Sequence, residues 1–80
     1  MNLEFSYTFI RQYQALPAPT QAKLNKQLGF LLLDLRYPSL RAKKYHEERD
    51  IWQARVDDNY RFYFRIKNST YLILSITPHP

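Results

Sequence analysis

Two neighbouring runs of alternating side chains constrain the fold of this chain more than any other feature of its sequence. In both runs every second residue is apolar or aromatic. Successive side chains of a β-strand point to opposite faces, so each run predicts a strand with one apolar and one polar face. The polar positions are Gln53 and Arg55 in the run 51–56, and Arg61, Tyr63, Arg65 and Lys67 in the run 60–67.

The connection at residues 57–59 sets how these two runs pair. A two-residue turn would place Arg55 opposite Phe62 and mix polar with apolar side chains. We therefore expect a three-residue connection, with Asn59 in the left-handed conformation. The expected pairs are Val56 with Tyr60, Ala54 with Phe62, Trp52 with Phe64, Arg55 with Arg61 and Gln53 with Tyr63.

The pairing of Arg55 with Arg61 indicates an anion-binding site, because like charges facing each other destabilise a free sheet by some tenths of a kcal/mol. In an alternative interpretation, nearby acidic residues fold over Arg61 and Arg65 and neutralise them. The next connection, residues 68–70, is read in the same way and pairs Lys67 with Tyr71. That register adds Leu72, Leu74 and Ile76 to the apolar face, and Ser75, Thr77 and His79 to the polar face near Arg61.

The first half of the chain predicts a strand and two helices. Residues 2–5 are extended in character, residues 7–16 have helical spacing, and a second helix is expected to begin near Pro19 and to end at Pro38. Four leucines lie on one face of that helix, and Lys23, Lys26 and Gln27 lie on the other. With further strands at residues 42–45 and 71–77, the sequence predicts one α+β domain over residues 1–80, with the order βααββββ and two N-terminal helices on a small, mainly antiparallel sheet.

The charge of the chain favours a polyanionic partner. The net charge is +5 and the isoelectric point about 9.7, and residues 36–67 hold nine basic and five acidic residues. A basic surface that only aids solubility is the alternative. Neither cysteine ligands nor a histidine cluster is present, so we expect no metal and no cofactor. The sequence has neither the pattern of a signal peptide nor an apolar run long enough to span a bilayer, and we expect a cytoplasmic protein without membrane contact.

Residues 43–80 resemble the RelE/ParE toxin superfamily of type II toxin–antitoxin systems. The resemblance rests on the motif Trp52-x-x-Arg55-Val56, a turn, the motif Tyr60-Arg61-Phe62-x-Phe64, an apolar strand and His79. The preceding strand and helices match the same plan. The resemblance implies a toxin that enters the ribosome, cleaves mRNA and is held inactive by a cognate antitoxin.

The resemblance also implies roles for individual residues. Arg61 corresponds to the recurrent catalytic arginine, and His79 to the general acid of YoeB-like members, although Pro80 follows where those members have tyrosine. Gln53 and Arg55 occupy positions that carry lysines in RelE. We therefore expect Arg61, Arg55 and His79 to be catalytic, and we expect the RNA to be bound by Lys43, Lys44, Gln53, Tyr63 and Arg65.

The expected reaction is attack of a 2′-hydroxyl on the adjacent phosphate, which requires a base, cations for the phosphorane and an acid for the leaving oxygen. The arginines suit the second role and His79 the third. The candidates for the base are Glu47, Glu48, Lys43 and Lys44, and the sequence does not choose among them. Two other functions stay open: a ParE-like inhibitor of DNA gyrase, and a degenerate toxin that binds only its antitoxin.

Overall fold

The structure, a computed structural model, describes residues 1–79. One strand and two helices come first, followed by a short 3₁₀-helix and four further strands. The elements are β1 (Asn2–Phe5), α1 (Tyr7–Gln14), α2 (Ala18–Leu33), a 3₁₀-helix (Pro38–Leu40), β2 (Lys43–His46), β3 (Ile51–Arg55), β4 (Tyr60–Lys67) and β5 (Thr70–Pro78).

The five strands form one sheet in the order β1-β5-β4-β3-β2. β1 pairs in parallel with β5, and the other three pairings are antiparallel. A parallel pair needs a crossover connection, and here α1 and α2 belong to it. The predicted α+β architecture with its βααββββ order is confirmed.

The core lies between the helices and the apolar face of the sheet. Phe62 and Phe64 on β4, Ile73 on β5, and Leu24 and Leu31 on α2 are completely buried. A phenylalanine buried in this way contributes about 3 to 5 kcal/mol relative to alanine. The apolar face therefore packs against the helices, and the opposite face, which carries the polar positions of β3 and β4, does not contribute to this core.

The β3–β4 hairpin has the predicted register. Trp52 pairs with Phe64, Gln53 with Tyr63, Ala54 with Phe62 and Arg55 with Arg61, and the amide of Val56 donates to the carbonyl of Tyr60 over 3.1 Å. The expectation that Asn59 is left-handed was wrong, since its φ is not positive. Instead the Asp57 carboxylate accepts the amide hydrogens of Asn59 and Tyr60 at 2.8 and 2.9 Å, and this cap holds the turn.

The β4–β5 hairpin differs from the prediction at its turn. Asn68 and Ser69, with φ of 51° and 59°, form a two-residue connection that pairs Lys67 with Thr70. Two consecutive left-handed residues are typical of the tight turns that match the twist of a hairpin. The expected pairing of Lys67 with Tyr71 was therefore wrong.

A β-bulge restores the predicted register in the second half of β5, opposite Arg61 and Tyr63. Phe64 pairs with Ile73, but Tyr63 pairs with Ser75, so Leu74 is the extra residue. Before the bulge, Tyr71 and Ile73 are buried, whereas Leu72 and Leu74 are only half-buried. The predicted assignment of Leu72 and Leu74 to the apolar face was therefore wrong. After the bulge, Ile76 is buried and Thr77 pairs with Arg61, as the sequence predicted.

The second helix ends at Leu33 and not at Pro38 as expected. Asp34 is extended, with φ of −165°, and its carboxylate accepts the amide hydrogen of Arg36 at 2.9 Å. This local bond competes with continuation of the helix. Pro38 begins the short 3₁₀-helix instead. Leu35 lies beyond the helix but still packs against the core.

Gln27 lies on the buried face of α2, which corrects its assignment to the exposed face. Positions 24, 27, 28 and 31 fall on one side of a helix because they are three or four residues apart. The side chain is 6% exposed, and its burial places a polar group beside β3. No helix within residues 1–79 is both long enough and apolar enough to cross a membrane.

Candidate functional site

A small polar cavity lies on the sheet face that is turned away from the helices, at the end of the β3–β4 hairpin. Its volume is about 200 Å³, and we call it the arginine cavity. It contains the two arginines that pair across the strands, and two further cations, Arg41 and Lys43, lie among its other lining residues. The lining residues are Arg41, Lys43, Gln53, Ala54, Arg55, Arg61 and His79.

Arg61 is held by backbone groups of its own hairpin. Its NH1 group donates to the carbonyl oxygens of Asp57 and Tyr60 over 2.6 and 3.0 Å. Within residues 1–79 no carboxylate forms an ion pair with Arg61. The side chain is thus fixed in place while its charge is not compensated, and a guanidinium in this state suits a bidentate phosphate contact.

Arg55 forms an ion pair with Asp58, three residues later in the turn. The Asp58 side chain is 88% exposed and that of Arg55 is 26% exposed. Exposed ion pairs contribute only about 0 to 1 kcal/mol, so a phosphate could displace Asp58 at little cost. The alternative in which acidic residues cover Arg61 and Arg65 does not hold within the described part of the chain, where neither arginine forms an ion pair. The carboxylate that pairs with a cavity arginine is that of Asp58.

Asp57 supports the turn beneath both arginines. Burial alone would raise the pKa of this carboxyl, but the hydrogen bonds from the amides of Asn59 and Tyr60 and from Lys23 lower it below its ordinary value. The Lys23 ammonium lies 3.4 Å from the carboxylate and ties α2 to the turn. The ionised form of Asp57 is therefore the one that stabilises the hairpin end.

Gln27 connects α2 to both chain segments that border the cavity. Its amide nitrogen donates to the carbonyl oxygens of Arg55 and Ser39 over 2.7 and 3.1 Å, and its carbonyl oxygen accepts the Ser39 hydroxyl at 3.0 Å. Both donors are used, which is the usual condition for burying a polar group without cost. This role was not predicted, although the spacing of Gln27 from Leu24 and Leu28 indicates that its side chain is buried.

Arg41 is a lining residue that was not predicted from the sequence. It follows the completely buried Leu40 and adopts a left-handed conformation with φ of 47°. Leu40 anchors this corner in the core, and the corner turns the next side chain toward the cavity. A left-handed corner at a residue other than glycine or asparagine is uncommon, so the sequence carries no clear signal for it.

His79 reaches the cavity because the end of β5 is attached to the β3–β4 turn. Its backbone amide donates to the carbonyl oxygen of Asn59 over 2.7 Å, directly after the pairing of Pro78 with Tyr60. The imidazole lines the same cavity as Arg61. Pro80, where the resemblance leads one to look for a tyrosine, lies outside the described residues.

Several residues proposed from the sequence lie elsewhere. Lys44 pairs with Trp52 on the other face of the sheet, 5.3 Å from the centre of its ring and 2.5 Å from the Asp50 carboxylate. The hydrogen bond to Asp50 raises the pKa of Lys44. Arg65 is exposed near the opposite end of β4, about 13 Å from Arg61 along the strand.

The carboxylate candidates for the general base are also remote from the arginine cavity. Glu47 and Glu48 belong to the β2–β3 turn, at the end of β3 opposite to Arg55, and both are exposed. Of the four candidates, Lys43 alone lines the cavity. Within the described residues, no cluster of three or more histidine, cysteine, aspartate or glutamate side chains could hold a metal ion.

Tyr63 lies beside the arginine cavity on the same face. Its hydroxyl accepts a hydrogen bond from the Gln53 amide over 3.1 Å, and its ring meets that of Tyr45 edge-on, with centroids 4.9 Å apart. The two rings border a shallow groove of about 340 Å³, which we call the tyrosine groove. Its lining residues are Tyr45, Ile51, Tyr63, Leu74, Ser75 and Thr77.

A separate apolar cavity of about 400 Å³ lies among β1, α1 and α2. None of its lining side chains is charged, which makes it unsuited to acid–base or phosphate chemistry. The smaller arginine cavity is therefore the candidate functional site.

Solved structures identify the fold. A YoeB/ParE toxin from Agrobacterium tumefaciens superposes over the whole of both chains with a TM-score of 0.83 at 16% identity. The chain has the RelE/YoeB/ParE toxin fold. The RelE of an archaeal RelE–RelB complex from Pyrococcus horikoshii OT3 has this fold too, with a TM-score of 0.80 at 17% identity over 96% of this chain and 92% of that one.

A second antitoxin-bound relative of this RelE-like fold occurs in the RelBE2 toxin–antitoxin complex from Mycobacterium tuberculosis, with a TM-score of 0.77 at 22% identity, covering 98% of this chain and 96% of the other. No protein-family model matches the sequence, and no curated protein matches it. The RelE-like fold is thus evident from the structure, whereas sequence similarity is low.

Proposed function

We propose that the chain is the toxin of a toxin–antitoxin pair and that its arginine cavity binds and cleaves mRNA on the ribosome. The observation that carries this proposal is the convergence of Arg55, Arg61 and His79 on one cavity, on the sheet face that is not used for the core. The likeness of the fold to RelE and YoeB toxins supports the toxin role.

The proposed reaction needs no group beyond the side chains and the RNA. The 2′-oxygen attacks the adjacent phosphorus, the bond from phosphorus to the 5′-oxygen breaks, and a 2′,3′-cyclic phosphate remains. Arg61 and Arg55 stabilise the negative charge of the phosphorane, with Asp58 displaced from Arg55 by the phosphate. His79 donates a proton to the leaving 5′-oxygen, and Lys43 in its neutral form accepts the proton of the 2′-hydroxyl.

We also propose a cognate antitoxin as the protein partner. The solved complexes of proteins with this fold contain antitoxins, and the net charge of +5 favours an acidic one. Exposed apolar side chains give such a partner a surface to cover. They include Phe5, Ile10, Leu32 and Leu33.

Arg61→Ala tests the proposed function most simply. Because Arg61 is expected to contact the reacting phosphate, the variant should abolish growth arrest on induction and slow cleavage of a ribosome-bound message at least 100-fold, the scale for loss of one charge-stabilising group. Arg11→Ala removes the same charge from α1, outside the cavity, and should remain fully toxic. Equal toxicity of the two variants would contradict the proposal.

A second candidate function is a degenerate toxin that only binds its antitoxin. The observation that favours it is the pairing of Arg55 with Asp58 in a cavity whose described lining contains no carboxylate base. A protein that is harmless when expressed alone but binds its antitoxin would establish it. An assay of DNA supercoiling by gyrase, run beside the assay of message cleavage, distinguishes these two functions from the ParE-like alternative, which alone predicts inhibition of gyrase.

A further inference from the structure

The tyrosine groove is built differently from the arginine cavity beside it. Tyr45 is 60% exposed, although it is an aromatic residue of a strand, and its register explains why. Lys44 pairs with Trp52 and His46 with Ile51, which leaves Tyr45 as the extra residue of a β-bulge. Bulges re-aim side chains beside functional sites, and this one aims the Tyr45 ring at Tyr63.

The two rings form an open corner. Their planes meet at 65°, so each keeps a face that the other ring does not cover. Tyr63 is fixed by the hydrogen bond from Gln53, and Tyr45 is fixed by its edge contact with Tyr63. Such a corner presents aromatic ring faces to solvent, and Ser75 and Thr77 line the same groove.

The groove is continuous with the arginine cavity. Thr77 lines the groove and pairs with Arg61 across the strands, and Gln53 lines the arginine cavity while contacting Tyr63. Arg61 and Tyr63 are two residues apart on one face of β4, a separation of about 7 Å. A single nucleotide bridges such a separation from its phosphate to its base.

We propose that the Tyr45–Tyr63 corner is a base-binding subsite, which stacks the base of a single-stranded RNA nucleotide whose phosphate lies between Arg55 and Arg61. This inference rests on the proposed function and adds to it a place for the base. Stacking on aromatic side chains is how single-stranded RNA is usually bound without strict sequence reading, because every base has a π-face. Tyr45 is then a binding residue that no charge argument would select.

The test compares two uncleavable probes of equal charge by fluorescence anisotropy at low salt. One is a short single-stranded RNA with 2′-O-methyl groups, and the other is the same backbone with abasic sites. Tyr45→Ala should bind the first probe about 5- to 100-fold more weakly than wild type, which is the range of one base stacked on one ring, and should bind the abasic probe unchanged. Tyr45→Phe should restore binding.

The controls separate the subsite from the proposed function. Tyr7→Ala removes a tyrosine ring from α1 that is more exposed than that of Tyr45, and it should bind both probes like wild type. Arg61→Ala should weaken both probes, because it removes a phosphate contact. If Tyr45→Ala binds the RNA probe like wild type while Arg61→Ala does not, the base subsite is wrong and the RNA-binding function stands. If wild type binds neither probe, the base subsite is contradicted, and cleavage of the ribosome-bound message decides the proposed function separately.

Discussion

At the scale of single residues, the side chains that shape the arginine cavity are not all charged. Gln27 is buried, and each of its polar groups bonds to a segment that carries a cavity residue: Ser39 precedes the corner of Arg41, and the carbonyl of Arg55 belongs to a cavity arginine. An amide in this position fixes the spacing of two cations without adding charge of its own.

Gln27→Leu tests this role. The substitution conserves the approximate volume but leaves the carbonyls of Arg55 and Ser39 without their donor, so it should lower the free energy of unfolding by about 2 to 4 kcal/mol. Urea denaturation measures the loss. Gln14→Leu, the same change at an exposed position of α1, should shift it by less than about 0.5 kcal/mol. Similar small losses for both variants would contradict the role.

The sequence predicted part of the site at this scale, for a clear reason. Alternation within β3 and β4 and the length of one turn place Arg55 opposite Arg61, and both are local properties. Arg41 and Tyr45 depend on a left-handed corner and on a bulge, which leave no mark in the residue pattern. Lys44 was assigned to the RNA-binding residues wrongly, because the prediction did not determine which residues of β2 lie on each face of the sheet.

At the scale of elements, the β3–β4 hairpin is the part on which the arginine cavity depends. Its turn is held by the Asp57 carboxylate, which also reaches Lys23 on α2. The same turn supplies the Asp57 carbonyl oxygen that accepts a hydrogen bond from Arg61, and the Asp58 carboxylate that pairs with Arg55. A change in the ionisation of Asp57 should therefore be felt in the stability of the hairpin.

The pH dependence of stability follows from the lowered pKa of Asp57. A group whose folded pKa is depressed stabilises the protein above its unfolded pKa of about 4, and this contribution is lost as the pH falls through the folded value. Asp57→Asn keeps the acceptor oxygen but not the charge. It should be about 1 kcal/mol less stable than wild type at pH 7, with the difference shrinking below pH 4 in urea midpoints. A difference that does not change with pH would contradict this assignment.

The β4–β5 hairpin shows where prediction from the sequence fails at the element scale. Its turn is one residue shorter than expected, and the bulge at Leu74 compensates for the shift. Both events are invisible in a reading of alternation, since Tyr71, Leu72, Ile73 and Leu74 are all able to be buried. The pairing of Arg61 with Thr77 was nonetheless predicted correctly, because the two deviations cancel before β5 reaches the cavity.

At the scale of the whole molecule, the fold was predictable from the sequence. The order of strands and helices follows from periodicity and proline positions, and the resemblance to RelE-like toxins added the topology that solved structures support. The helix-facing side of the sheet holds the core, and the other side joins a cationic cavity to an aromatic groove. That division of the two faces is the physical basis for proposing that the chain acts on RNA.

The most direct test of the central claim is to analyse the ends of a ribosome-bound message after incubation with the purified protein. Attack by the 2′-hydroxyl predicts cut messages that end in a 2′,3′-cyclic phosphate for wild type, and intact messages for Arg61→Ala. Messages that stay intact with wild-type protein, or that are cut equally by Arg61→Ala, would contradict the claim that the arginine cavity cleaves RNA.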